Sequence, residues 1–395
     1  MTEVNRLAIL GAGPIGLDAA LAAAERSLPF TVFEAADEVG GHLRSWGHLR
    51  LFTPWSMNVS ARMRAHLKRA GVTVPGGDGY PTAAEFRERV LLRVAELPEI
   101  APHLETHTRV LEVGREGLLK HEEIASAARQ ARPFRLLLRD ASGRERIARA
   151  NRVLDTTGTW SHPNALGDGG IAAPGETTHG FFISHQLPSA DDPSWASARV
   201  LLVGAGHSAQ TAARTLAARD SGSPGWVWAM RRMPAAPLAD DPLPERAALA
   251  RAARAIADRP PAGCEVFRGV VVERLRREGD RVAVRLRPLD EGGAVEVVVD
   301  RVLALVGASA DASLYRQLQV HECYASEAPM KLAAALLAAG GAGADCLDQV
   351  AHGVSALTNP EPDFFILGVK SYGRNSNFLL RVGYSQVDEI FATLP

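Results

Sequence analysis

Short unbroken apolar runs that stop at glycine or at a charged residue set the rhythm of this chain. Leu7-Ala8-Ile9-Leu10 is continuous rather than alternating, as expected of a strand buried on both faces. It meets Gly11-Ala12-Gly13-Pro14-Ile15-Gly16, and a run of good helix formers follows from Leu17 to Ala24. Phe30-Thr31-Val32-Phe33 predicts the next strand, which ends at Glu34. The order recurs near the middle. Arg199 to Val203 predicts a strand, Gly204-Ala205-Gly206-His207-Ser208-Ala209 a glycine turn, and Gln210 to Ala213 a helix. Trp226 to Met230 then predicts a strand that stops at Arg231-Arg232.

The remaining pattern fills in around these two units. Helices are predicted over 56–70, 82–97, 247–258, 328–340 and 386–391. Strands are predicted at 134–139, 270–272, 282–286, 295–305, 364–368 and 378–380, and in the run that ends at Asp155. Pro163, Pro174 and Gly175 read as linker. The expected class is α/β, with two Rossmann-like dinucleotide-binding domains, the second inserted into a discontinuous first. The expected boundaries are 1–175 and 304–395 for the first domain and 176–303 for the second.

Each glycine has a job in such a turn. Gly11 permits the bend, Gly13 leaves a pyrophosphate unobstructed, and Gly16 lets helix and strand approach closely. Pro14 and Ile15 open the helix, where a first-turn proline loses no hydrogen bond and free amides face a diphosphate. Glu34 suits both hydroxyls of an adenosine ribose and repels a 2′-phosphate, so FAD or NAD is expected here. Gly40-Gly41 predicts close backbone approach to the same cofactor, with Arg44 and Trp46 on its flavin side. Thr157-Gly158 is expected to turn beneath the nucleotide.

The second turn ends differently. Gly204 and Gly206 repeat the bend, and Ala209 stands where the last glycine would be. His207, Ser208 and Gln210 open the helix, with Ser208 its expected cap. Arg231 and Arg232 occupy the ribose end, and guanidinium forks suit a 2′-phosphate. The expectation is NADPH rather than NADH, and so FAD and NADPH together in one chain. The amides that open the helix at Gln386 are expected at the O2/N1 edge of the flavin.

Composition narrows the classes. The 395 residues carry a formal net charge of -1 and are 46% hydrophobic, which argues against a nucleic-acid groove. No run approaches a membrane span, and no leader pattern precedes Leu7. Cys264, Cys323 and Cys346 form no close pair, so a reduced, cytoplasmic setting is expected and a CxxC dithiol relay is not. No metal site is expected. A homodimer is one assembly compatible with these features.

These motifs resemble those of the two-dinucleotide flavoproteins, and most closely the NADPH-dependent, single-component flavin-containing monooxygenases. The likeness rests on the two glycine turns, Glu34, Gly40-Gly41, Thr157-Gly158 and Gly307-Ala308-Ser309-Ala310-Asp311. It implies hydride transfer from NADPH to FAD, addition of O2 at flavin C4a, and oxygen transfer to a small nucleophilic nitrogen or sulfur substrate. It also implies roles for two residues. Asn58 would donate to the nicotinamide–peroxide assembly, and His185, in a shortened and displaced version of the family's linker fingerprint, would position the linker. Trp55 and Tyr372, like Arg44 and Trp46, are expected to face the cleft, and the 370–375 segment is expected to form a lid or a substrate wall. An NADPH-dependent reductase of a quinone or small disulfide stays open beside this reading, as does a flavin-holding protein without turnover.

Overall fold

The protein is described by a computed structural model covering residues 6–189, 192–219, 224–237, 241–339 and 352–394. It divides into two compact units, Met1–His162 with Ser309–Pro395, and Pro163–Ala308. The second unit is therefore inserted in the chain of the first.

In the first unit, five parallel strands lie in the order Phe364–Ile366, Arg152–Asp155, Leu7–Leu10, Phe30–Phe33, Leu104–Glu105. Leu7–Leu10 is central and wholly buried, which explains why its apolar run does not alternate. The helix Pro14–Glu25 returns the chain to Phe30 and buries almost every side chain. An antiparallel sheet of Arg109–Arg115, Phe134–Arg139 and Glu145–Ala150 is spliced in before Arg152.

The second unit repeats this plan in four of its five parallel strands; its edge strand Ile183–Ser184 precedes the others in the chain, whereas Phe364–Ile366 follows them in the first unit. Its parallel sheet runs Cys264–Arg268, Trp226–Met230, Val200–Val203, Arg301–Ala304, Ile183–Ser184. Here too an antiparallel trio, Val270–Glu278, Arg281–Pro288 and Val295–Val299, is spliced in before a parallel strand, Arg301–Ala304. The doubled Rossmann pattern of the sequence thus extends to the inserted sheets.

Several predicted elements differ in detail. The single strand expected over 295–305 is two strands in two sheets, broken at Asp300, whose carboxylate accepts the Arg199 N–H at 2.7 Å. The helix over 56–70 breaks after Asn58, and Ser60 caps a new helix, Ala61–Arg69, by accepting the Met63 N–H. Residues 82–97 begin as Ala83–Phe86 and widen into a π-turn at Arg87–Leu91. The expected strand at 378–380 does not form, because Leu380 already begins the final helix, Leu380–Thr393.

The unit divides at Pro163 and Ala308, where the sequence suggests 176 and 303. Residues 163–175 are folded against the second unit. Leu166 and Ala173 sit in its apolar core with Val272 and Leu275, and the Glu176 carboxylate accepts the N–H groups of Leu166 and Ala173 at 2.9 and 2.8 Å. Proline and glycine here shape an ordered flap, which local pattern reads as linker.

Candidate functional site

The first glycine turn is built by sterics. Gly11 has φ +94°, a left-handed conformation that suits glycine. A Cβ on Gly16 would stand 1.9 Å from the Gly11 carbonyl oxygen, so any side chain there would break the turn. Gly13 is different: a Cβ on it would meet nothing within 4 Å. It leaves open space in front of the helix amides, and such a space suits a diphosphate. Pro14 is the first residue of that helix. Ile15 packs against Gly368, where a Cβ would lie 3.3 Å from Ile15 Cγ1, and against Gly383, where it would lie 2.4 Å from Ile15 Cδ1. The turn is thereby wedged against the C-terminal segment.

Glu34 follows the neighbouring strand and is already oriented. Its Oε2 accepts the Ala12 N–H at 2.7 Å and its Oε1 accepts the Ala36 N–H at 2.8 Å. Each carboxylate oxygen keeps a further lone pair, the acceptors a ribose diol needs. Gly40, at φ +61°, and Gly41, where a Cβ would fall 2.5 Å from Ala36 Cβ, hold the next loop tight. These residues fit a dinucleotide.

The flavin-side candidates separate. Arg44 turns to the surface and pairs with Asp37 through two 2.9 Å bonds, so the structure gives it a partner other than a cofactor. Trp46 joins His42 and Trp160 in an aromatic group, with His42 stacked on Trp160 at 4.6 Å. Trp46 Nε1 and His42 Nε2 are buried and have no hydrogen-bond partner among the described residues. Desolvation holds His42 down at about 4, so its ring is neutral at pH 7. Thr157 and Gly158 lie at the end of strand Arg152–Asp155, against the first turn: Thr157 Cα is 3.2 Å from where a Gly11 Cβ would be.

The second turn repeats the design. Gly204 has φ +123°, and a Cβ there would collide with the Leu305 carbonyl oxygen at 2.2 Å, while Gly206 faces open space. Ala209 is fully buried in the first turn of the helix His207–Ala217, where a methyl is accommodated. Gly206 is the N-cap of that helix and no side chain caps it. Ser208 already lies within the first turn, which corrects the capping role expected of it. His207 is exposed, yet the atoms packed around its ring, and then Arg246, hold its pKa below the usual value. Gln210 is buried and donates to the Ala205 carbonyl at 3.1 Å, and its Oε1 has no partner among the described residues. Arg231 and Arg232 are both exposed directly after strand Trp226–Met230.

Three further expectations meet different geometry. The Asn58 side chain is buried and bonded to Thr53 at both ends, Nδ2 to the Thr53 carbonyl at 2.8 Å and Oδ1 from the Thr53 hydroxyl at 2.7 Å. Tyr384 also donates to its carbonyl. This arrangement makes it a local lock. His185 is exposed, just past strand Ile183–Ser184. Gln386 does not open a helix. It lies inside Leu380–Thr393, where its Oε1 accepts the Gly368 N–H at 2.8 Å and its Nε2 donates to Ser371 at 2.9 Å. Helix period alone placed the start too late, since Val382, Gly383 and Tyr384 ahead of it are already buried helix residues.

Sequence reasoning missed four contributors. Trp228 donates its indole N–H to the Gly204 carbonyl at 2.8 Å and braces the second turn. Gly368 and Gly383 admit Ile15, and Lys370 forms a buried pair with Asp155. Only the glycines carried a signal, as small residues among large apolar ones.

Among the described cysteines, Cys264 lies in the second unit and is pushed up to about 12, by burial first and then Glu265. Cys323 lies in the first unit and is lowered by hydrogen bonds from Ser326 and nearby backbone. Cys346 lies outside the described residues. A cavity of about 440 Å³ lined by Arg6, Phe33, Arg146 and Asn151 includes no glycine-turn residue. No helix among the described residues is long and apolar enough to cross a membrane.

Residues 9–69 match the NAD(P)-binding Rossmann-like domain family. No curated protein matches the chain in sequence. Among solved structures, the chain is similar to bacillithiol disulfide reductase from Bacillus cereus, at 18% identity and TM-score 0.69 over 98% of each chain. It is also similar to ornithine hydroxylase from Pseudomonas aeruginosa, at 16% identity and TM-score 0.66 over 98% of each chain. Thioredoxin reductase from Lactococcus lactis shares 14% identity at TM-score 0.59, over 98% of this chain and 97% of that one. At these identities the likeness is one of fold, and it does not single out the flavin-containing monooxygenase branch. The chain shares with these structures a fold of two Rossmann-like dinucleotide-binding units, the first of which holds the matched residues 9–69.

Proposed function

We propose that the chain is an FAD- and NADPH-dependent monooxygenase that oxygenates a small nucleophilic nitrogen or sulfur substrate. The observation that carries the two-cofactor part is a contrast between two turns of the same build. One faces a carboxylate pre-set by the Ala12 and Ala36 amides, and the other leads to an exposed arginine pair. A diol and a 2′-phosphate are the complementary ligands.

In this reading Gly11, Gly13, Gly16, Glu34, Gly40 and Gly41 hold FAD, and Thr157-Gly158 closes on it from the adjoining strand. Gly204, Gly206, His207 and Ser208 take the NADPH diphosphate, while Arg231 and Arg232 select its 2′-phosphate. When bound, the flavin supplies the two-electron and oxygen chemistry and NADPH supplies the hydride. The protein's share is to orient both and to exclude water. The neutral His42 beside Trp46 and Trp160 offers a hydrogen-bonding but uncharged wall.

A second reading, direct reduction of a small disulfide or a quinone, is supported by the fold shared with bacillithiol disulfide reductase. Neither reading uses a protein dithiol, since the sequence has no CxxC pair.

Purified, FAD-loaded protein separates the two. Under air, with a panel of amines and sulfides, the monooxygenase reading expects substrate-stimulated NADPH and O2 consumption with oxygenated product in near-equal yield. NADPH oxidation that proceeds without O2 on a disulfide or quinone, with no oxygenated product from any amine or sulfide, rejects it. Domain limits of 1–175, 176–303 and 304–395 give way in this reading to the units described above.

A further inference from the structure

Lys370 and Asp155 form an ion pair of 2.7 Å with both side chains withdrawn from solvent. A buried pair adds little net stability, whereas its geometry is specific. Here the geometry converges on one hydroxyl. Asp155 ends its strand, and its Oδ1 accepts both the Thr157 N–H at 3.1 Å and the Thr157 hydroxyl at 2.7 Å. The Lys370 ammonium donates to the same hydroxyl oxygen at 3.1 Å. Thr157 is therefore held between the two charges.

That grip bears on the first glycine turn. Thr156 Oγ1 lies 2.8 and 3.0 Å from the carbonyl oxygens of Leu10 and Gly11 and donates to them. The Thr156 carbonyl oxygen is 3.1 Å from where a Gly11 Cβ would be. Lys370 is itself fixed, because its segment, Gly368–Tyr372, is tied to Gln386 through Gly368 and Ser371. Its ammonium also stands 5.1 Å from the centre of the Tyr315 ring, a stabilising place for a cation.

We propose that Lys370 is a positioning residue of the first dinucleotide site: its ammonium, balanced by Asp155, holds the Thr157–Gly158 turn against the Gly11 turn and so sets the affinity for FAD. This rests on the reading of the first turn as the FAD site.

The test titrates apoprotein with FAD by flavin fluorescence and measures the apoprotein's unfolding midpoint in parallel. Thr157→Val removes the shared hydroxyl and leaves the ion pair. It should weaken FAD about tenfold, the effect of losing part-buried hydrogen bonds to charged groups, while the apoprotein midpoint falls only slightly and the protein stays folded at the titration temperature. Asp155→Asn combined with Lys370→Met replaces the pair by neutral groups. It should fold and yet bind FAD as weakly as Thr157→Val or worse. Wild-type affinity in either variant overturns the proposal, since the pair would then be packing alone. Wild-type protein that binds no FAD rejects the reading of the site, and the proposal with it.

Discussion

Glu34 accepts the backbone N–H of Ala12, the residue between the first two glycines of the N-terminal turn, at 2.7 Å. In the proposed reading, the carboxylate that would receive a ribose also fixes the loop that would receive the phosphates. A single residue would thus couple the two halves of the proposed adenosine diphosphate site, and both carboxylate oxygens are engaged because Ala36 uses the other.

Glu34→Gln is therefore not conservative. The glutamine amide would turn its NH2 toward one of two backbone N–H groups, leaving a donor facing a donor. FAD affinity should fall roughly 10- to 100-fold while far-ultraviolet circular dichroism is retained. Unchanged binding by fluorescence titration would show that the carboxylate does not organise this loop.

Gly13 and Gly16 should fail in different ways. A side chain at Gly13 enters open space, so Gly13→Val should fold at a near-normal midpoint and purify colourless. A Cβ at Gly16 meets the Gly11 carbonyl at 1.9 Å, so Gly16→Ala should lose about 1–3 kcal/mol or more. Thermal unfolding of the two apoproteins checks the contrast.

The arginines after Trp226–Met230 predict cofactor choice. Arg231→Ala with Arg232→Ala should raise KM for NADPH at least tenfold, the loss of charge-assisted contacts, and leave KM for NADH nearly unchanged. Equal effects on both nucleotides would remove the 2′-phosphate from their role.

Asp18 makes stability depend on pH. It is buried in the helix Pro14–Glu25 beside Ser60 and Arg62, and burial raises it to about 6, against the lowering effect of Arg62. A carboxyl raised on folding binds more protons in the native state, so stability falls as pH rises from the unfolded value of about 4 to the folded value near 6. Relative to Asp18→Asn, the wild type should lose about 3 kcal/mol across that window, measured by urea unfolding at each pH. A constant difference would contradict the raised value.

What could be read in advance was what neighbours along the chain decide. A glycine at positive φ, a proline at a helix start, an unbroken apolar strand and a terminal acid or arginine pair are local solutions to local sterics and charge. Leu7–Leu10, Trp226–Met230 and both turns lie where the pattern put them.

Other assignments depended on long-range partners. The type and position of Arg44 suit a flavin, but Asp37 is the nearer partner. Asn58 carried a plausible amide, but Thr53 used both ends of it. The helix pattern around Gln386 says nothing of Gly368 and Ser371, which the fold returns beside it and which engage both ends of its buried amide.

By itself the sequence determined that two dinucleotide turns exist, where each bends, and what charge ends each one, because bond geometry and nearest neighbours suffice for that. Tertiary structure alone decided that Lys370 meets Asp155, that Trp228 braces Gly204, and that residues 163–175 belong to the second unit. Those outcomes are settled by burial, which removes water as the competing partner and leaves each polar group to whatever the fold brings within reach.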